Sequence, residues 1–227
     1  MTHLFTAWFF IVDVMTLTYS ARSRAIEPFH VMALLQRANE LQAAGHDVIH
    51  LEIGEPDFST AEPIIQAGHA ALASGQTRYT AARGLPALRE AIAGFYASRY
   101  GLDINPERIM ITPGGSGALL LASALLVDPG KHWLLADPGY PCNRHFLRLV
   151  EAHAQLVPVG PEVNYQLTAD LVARYWGQGS VGALVASPAN PTGTILTHDE
   201  LTGLSAALRE RGGHLVVDEI YHGLTYG

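Results

Sequence analysis

The sequence predicts an α/β fold: a mostly parallel, doubly wound sheet with helices on both faces. From residue 108 onward, short apolar runs of strand length alternate with segments of helical period, as expected of strands joined by crossover helices. Apolar residues make up 48% of the 227 residues and charged residues 15%, which suits a globular chain with a large core. Polar and aromatic clusters follow the apolar runs. In open parallel sheets the ligand lies beyond the carboxyl ends of the strands, so these clusters mark the site.

The elements follow in order. Leu4 to Tyr19 is strongly apolar but carries Asp13 and threonines, and it is short for a membrane span. No Lys or Arg precedes it and no small-x-small cleavage site follows, so residues 1–19 are expected to be an appendage rather than a signal peptide. Pro28 to Ala44 places Val31, Leu34, Leu35, Ala38 and Leu41 at helical spacing, with Gly45 closing it. Asp47 to Ile53 reads as a short strand, followed by the turn Gly54-Glu55-Pro56-Asp57. Ala61 to Ser74 and Leu85 to Tyr100 read as helices. Pro86 sits in the first turn of the second, where a missing N–H costs nothing, and Gly101 stops it.

The alternating part begins with Arg108 to Thr112 as a strand and Ser116 to Val127 as a helix. Then come strand 132–136, helix 140–152, strand 155–159, helix 168–176 and strand 181–186. Thr197 to Arg211 is a helix with Thr197 and Glu200 at capping-box spacing, and His214 to Asp218 is the last strand. There is no internal repeat. The formal charge of −7, without blocks of like charge, argues against nucleic acid and anionic membrane as partners. Cys142 is the single cysteine, which precludes an internal disulfide and favours a reducing, cytoplasmic location.

Four clusters then lie at strand ends. Thr112-Pro113-Gly114-Gly115-Ser116-Gly117 lets the backbone approach an anion, which the free N–H groups of the following helix favour. Tyr140, in Asp137-Pro138-Gly139-Tyr140-Pro141, has a face for a flat heterocycle. Asn190, in Asn190-Pro191-Thr192-Gly193, has an amide to donate. Asp218 ends the apolar run Leu215-Val216-Val217, where a carboxylate needs a partner, and a protonated ring nitrogen would serve. Singly, each has an ordinary reading: a tight turn, a packed aromatic, an Asn-Pro turn starter, a structural cap or salt bridge.

In this order and spacing the motifs resemble the fold-type I pyridoxal-phosphate (PLP) enzymes, class I/II aminotransferases of the aspartate/alanine/aromatic group. The resemblance runs from about Ser20 to Gly227. It includes Ala21 to Phe29, Leu51 to Phe58, Arg78-Tyr79, Gly84-Leu85-Pro86-Ala87-Leu88-Arg89 and the Asp218-Glu219-Ile220-Tyr221 segment. It implies PLP as cofactor, amino acid and 2-oxo acid substrates, and a homodimer. It also implies roles. Gly115 and Ser116 would bind the phosphate, and Tyr79 would reach the phosphate held by the neighbouring subunit. Tyr140 would stack on the ring, Asn190 and Tyr221 would bond its phenolic oxygen, and Asp218 would pair with its nitrogen. Gly54 would lie beside the substrate carboxylate.

The family's Schiff-base lysine comes a few dozen residues after the Asp-x-x-Tyr segment, which places it beyond Gly227. Lys131, the single lysine of the sequence, enters a strand at the opposite edge. No catalytic residue is therefore expected within the chain, and the chain alone is expected to be inactive. The expected division is an appendage at 1–19, an N-terminal arm and small-domain segment at 20–63, and a large PLP-binding domain at 64–227. That domain is expected to lack late strands, and most of the small domain is expected to be missing. A β-lyase or synthase on the same scaffold, and a non-catalytic aminotransferase-like ligand-binding domain, are the alternatives.

Overall fold

The computed structural model describes residues 18–27, 29–54 and 58–226. Four strands, β1 (His132–Asp137), β2 (His153–Pro158), β3 (Ser180–Ala186) and β4 (His214–Asp218), pair in the order β2-β1-β3-β4, and every pair is parallel. The chain steps outward from β1 to β2, then crosses back past β1 to β3 and β4. The direction of winding therefore reverses between β1 and β3, the crevice where open parallel sheets bind ligands.

Side chains alternate across the strands, and helices cover both faces as expected. Trp133, Leu135 and Leu184 face α5 (Gly114–Leu126) and α6 (Asn143–Leu149), where they meet Leu119 and Leu147. Leu134, Val157, Ala183 and Val185 face α7 (Ala169–Tyr175) and α8 (His198–Arg209), packing on Val172, Leu204 and Leu208. Burial of each large aliphatic side chain contributes about 1.5–3 kcal/mol. Local chemistry agrees with this packing. Thr197 and Glu200 form the capping box that starts α8, and Thr168 accepts from Leu171 N–H at the start of α7.

The earlier helices are α1 (Ala21–Arg24), α2 (His30–Ala43), α3 (Glu62–Ala73) and α4 (Pro86–Tyr100). Pro86 is at the first turn of α4, and Gly101 closes it in the left-handed conformation at φ 67°. Arg89 is the buried residue of α4. It donates to Glu107 Oε1 at 2.8 Å and to the Pro106 carbonyl at 3.1 Å, fixing α4 to the segment that leads into α5. The Arg89 guanidinium in turn holds the Glu107 carboxyl below the usual carboxylate range.

Two predicted strands do not form. Asp47–Ile53 runs without regular structure, with Ile49 82% and Leu51 87% exposed. The apolar alternation is present, but among the described residues no strand lies alongside it to supply ladder bonds. Arg108–Thr112 differs for the same reason. Pro106–Arg108 is a 3-10 turn, Ile111 N–H donates to the Arg83 carbonyl, and Met110 is 52% exposed. The helix predicted at 140–152 is shorter, Asn143–Leu149. Tyr140 precedes Pro141 and is steered away from helical backbone, while Glu151 takes a positive φ of 61°. Residues 1–17 of the apolar segment, Pro28, and Glu55–Asp57 of the predicted turn lie outside the described residues.

Gly182 on β3 lies where a Cβ would stand 2.6 Å from Trp133 Nε1 and 2.7 Å from the His214 carbonyl oxygen. A backbone oxygen in a ladder cannot retreat. Gly182→Ala is therefore expected to destabilise the protein by about 1–3 kcal/mol, measured by denaturant unfolding, whereas Gly203→Ala, whose Cβ meets nothing within 4 Å, is expected to be neutral or stabilising.

Candidate functional site at the carboxyl edge of the sheet

The carboxyl ends of β1, β3 and β4 present the predicted clusters side by side. At β4, Asp218 is half-buried and sits in register with Ala186 at the end of β3. Its carbonyl accepts from Ser187 N–H at 3.0 Å, so the Ser187–Leu196 loop is tied to the same strand end. One carboxylate oxygen of Asp218 accepts from Ile220 N–H at 3.1 Å. No cationic side chain is paired with this carboxylate among the described residues.

The Ile220 side chain reaches from the end of β4 to the first turn of α5. A Cβ placed on Gly115 would lie 3.7 Å from Ile220 Cδ1, an ordinary contact. Gly115 and Ser116 are exposed there, beside the positive end of the helix dipole. Thr112 Oγ1 donates to the Gly114 carbonyl at 2.9 Å and shapes the turn.

A cleft of about 840 Å³ brings Gly54, Tyr140, Asn190 and Tyr221 together, with Phe29 and Glu52 also on its wall. Tyr140 meets Phe29 edge to face, with ring centroids 6.2 Å apart. Its phenol is pushed up to about 12 by hydrogen bonding with the Cys142 side chain, by burial, and by the negative charges of Cys142, Tyr221 and Asp218. Asp218 and Tyr221 are thus close enough to act on Tyr140 through their charge. Gly115, Ser116 and Asp218 are not on the wall of this cleft. They stand beside it, joined to it through the Asp218–Tyr221 segment. Tyr79 is fully exposed and far from forming part of the cleft.

Sequence reasoning missed Gln166. Its side chain is buried, and Nε2 donates to the Ala186 carbonyl at 3.1 Å, the Thr194 carbonyl at 3.2 Å and Thr194 Oγ1 at 3.2 Å. It clamps the loop bearing Asn190 against the end of β3. Gln166 lies in an aperiodic connection, so nothing in its pattern marked it. Asn143, buried below Tyr140 with Oδ1 unbonded, was missed as well, as were Phe29 and Glu52 as cleft residues.

Lys131 lies where the sequence places it, at the amino end of β1. Its N–H donates to the Asp128 carbonyl, and its carbonyl accepts from His153 N–H. The length of the strand separates it from Asp137 and the cleft edge.

The donor set selects among ligands. A half-buried carboxylate without a protein cation, an aromatic face, an amide and a phenol, next to exposed helix-start amides, suit a flat cationic ring that carries a phosphate. The residues present fit PLP. No cluster of metal-ligating side chains occurs among the described residues, and no helix there is long and apolar enough to cross a membrane.

A doubly wound parallel sheet with polar and aromatic side chains gathered at its carboxyl edge is the layout of an α/β protein that binds its ligand there. The chain belongs to the aminotransferase class I and II family, whose profile matches residues 46–227. It is 38% identical over 201 residues to the valine–pyruvate aminotransferase of Mycobacterium tuberculosis, covering 88% of this chain and 52% of that one. It is 34% identical to the aspartate aminotransferase of Geobacillus stearothermophilus, covering 91% and 52%. Among solved structures, an aminotransferase from Mycobacterium tuberculosis superposes with a TM-score of 0.88 at 37% identity, covering 93% of this chain and 54% of that one. Aspartate aminotransferase from Thermus thermophilus, solved with maleate, gives 0.87 at 33% identity, covering 93% and 55%. The chain spans about half the length of the curated relatives it matches. The fold is that of the fold-type I PLP enzymes, and the cofactor of the family is PLP.

Two outcomes test this geometry. Gln166→Leu strips the donor from two carbonyls and is expected to cost about 1–3 kcal/mol and to speed amide exchange in the Ala189–Thr194 loop, read by hydrogen exchange. Because the folded-state pKa of Tyr140 lies above the ordinary value of 10, its contribution to stability is fully present below pH 10 and is lost as pH rises towards 12. Tyr140→Phe is expected to flatten that decline in unfolding experiments across pH 10–12.

Proposed function

We propose that this chain forms the cofactor-binding part of a PLP-dependent transaminase that moves an amino group from an amino acid to a 2-oxo acid. The observation that carries the proposal is Asp218, a half-buried carboxylate that no protein cation pairs among the described residues, two residues before Ile220, whose side chain reaches the first turn of α5. When bound, PLP supplies an electron sink that lets the amino group leave one carbon skeleton and join another.

The chain's own residues bind and orient. Asp218 holds a fixed negative charge that would keep a pyridine nitrogen protonated. Gly115 and Ser116 offer backbone N–H groups to the phosphate, with the Ser116 hydroxyl added. Tyr140 presents its face to the ring. Its raised pKa keeps the phenol neutral, so it adds no charge of its own beside Asp218. Asn190 and Tyr221 donate to the phenolic oxygen. Gly54 gives a substrate carboxylate room at the cleft wall.

Tyr79 stands free at the surface, in keeping with a role at a partner's phosphate in a homodimer. We assign 64–227 to the large cofactor-binding domain and 20–63 to an arm and small-domain segment. A cytoplasmic location accords with the unpaired Cys142. The names of the relatives suggest valine or aspartate as amino donors.

In the family that the motifs resemble a lysine moves the proton at the substrate carbon, and Lys131 is at the far end of β1 from the cleft. The 227 residues alone are therefore expected to show no transamination of valine or aspartate with pyruvate or 2-oxoglutarate in a coupled assay. In the full protein that carries this chain, Asp218→Asn is expected to weaken PLP about 10–100-fold in an absorbance titration. Unchanged PLP affinity in that variant would refute the assignment of Asp218.

A further inference from the structure

A second cleft, of about 260 Å³, opens between α6 and the edge strand β2. Arg144 and Arg148 stand one helical turn apart on α6 and both border it, with His145 between them; His153 also borders it, but its ring packs on His132 on the face of the sheet away from α6. Arg144 also reaches the wall of the smaller cleft below Tyr140, whereas Arg148 borders the second cleft and neither of those at the sheet edge.

The charge here is unbalanced. The facing acid is Glu27, 3.9 Å from Arg144, too far for a hydrogen bond. Glu151, close by in sequence, is taken by Arg22 at 3.0 Å. Among the described residues, the Arg148 guanidinium makes no ion pair or hydrogen bond. Burial and the charge of Arg144 push His145 below its ordinary value, which leaves it a neutral N–H donor above pH 7. Two guanidinium charges against the one carboxylate of Glu27 thus leave a single positive charge, in a chain whose net charge is −7. The floor of the cleft is apolar, made by Ala152, Ala154 and Leu156. Such a floor offers nothing to a hydrated inorganic ion but covers a hydrocarbon body.

We propose that this cleft binds a small organic monocarboxylate. The carboxylate pairs with Arg148 and Arg144, and a short apolar body lies on Leu156 and its alanine neighbours. The site is separate from the proposed PLP and substrate cleft, and its occupation does not depend on that assignment. Guanidinium pairs with carboxylates through parallel N–H donors, and the apolar floor adds the discrimination against phosphate.

The test is an NMR titration of the full protein carrying this chain, with isovalerate as probe and inorganic phosphate as control, followed through the imidazole C–H signals. The signal of His145, assigned by a His145→Gln variant, is expected to shift with saturation in the millimolar range, while that of His153, whose ring packs on His132 across the sheet, stays unmoved. Arg148→Gln, at an exposed and unpartnered position that the fold does not need, is expected to weaken binding about tenfold, and Arg148→Lys to restore part of it. The proposal is overturned if His145 stays unmoved, if Arg148→Gln titrates like the parent, or if phosphate at the same concentration matches isovalerate.

Discussion

Register along the β3–β4 ladder sets Asp218 opposite Ala186, and the next hydrogen bond, from Ser187 N–H to the Asp218 carbonyl, fastens the Asn190 loop to the same strand end. A shift of one residue in that ladder would turn Asp218 to the other face of the sheet. It would also withdraw Ile220 from Gly115 and separate the carboxylate from the helix-start amides. The site therefore depends on the packing that holds β4 in place. Val216 packs among Trp133, Leu135 and Leu184 on one face, and Leu215 and Val217 pack against the α7–α8 layer on the other.

The charge at the sheet edge leaves room for a cationic ligand, as the proposed function requires. Asp218 has a backbone N–H partner but no guanidinium or ammonium. The neighbouring phenol of Tyr140 is held in its neutral form, partly by the same carboxylate. At α5 the opposite holds: exposed amides and the positive helix end await an anion. A negative group at β4 and a positive helix end at α5, joined by Ile220, suit a ligand that is cationic on its ring and anionic on its arm. The aminotransferase class I and II profile, matched over residues 46–227, agrees with that chemistry.

Much of this was legible in the sequence, because β1 to β4 are buried between two helical layers and need continuous apolar runs. The capping box at Thr197 and Glu200 and the glycine stop at Gly101 are local signals, and both hold. Asp47–Ile53 and Arg108–Thr112 carry the same apolar signal, yet a strand is made by its neighbours as well as by its own residues. Pattern alone could not report that no ladder forms there among the described residues. Tyr140 and Asn190 were readable as candidates because they follow strands within distinctive dipeptides, and Tyr221 and Gly54 because the family resemblance pointed to them; the structure lines one cleft with all four. Gln166 was not, since its role arises from three acceptors that only tertiary folding brings to it. The arginine cleft beside α6 was likewise invisible, because Ala154 and Leu156 join Arg144 and Arg148 only through the packing of β2 against α6.

The most direct test of the central claim is the protonation state of the pyridine nitrogen of ¹⁵N-labelled PLP bound to the full protein that carries this chain, read from its NMR chemical shift. Pairing with Asp218 predicts a protonated nitrogen well above the pH at which free PLP loses that proton, and loss of the effect in Asp218→Asn. A deprotonated nitrogen at neutral pH, or one whose state ignores the Asp218 substitution, would contradict the account.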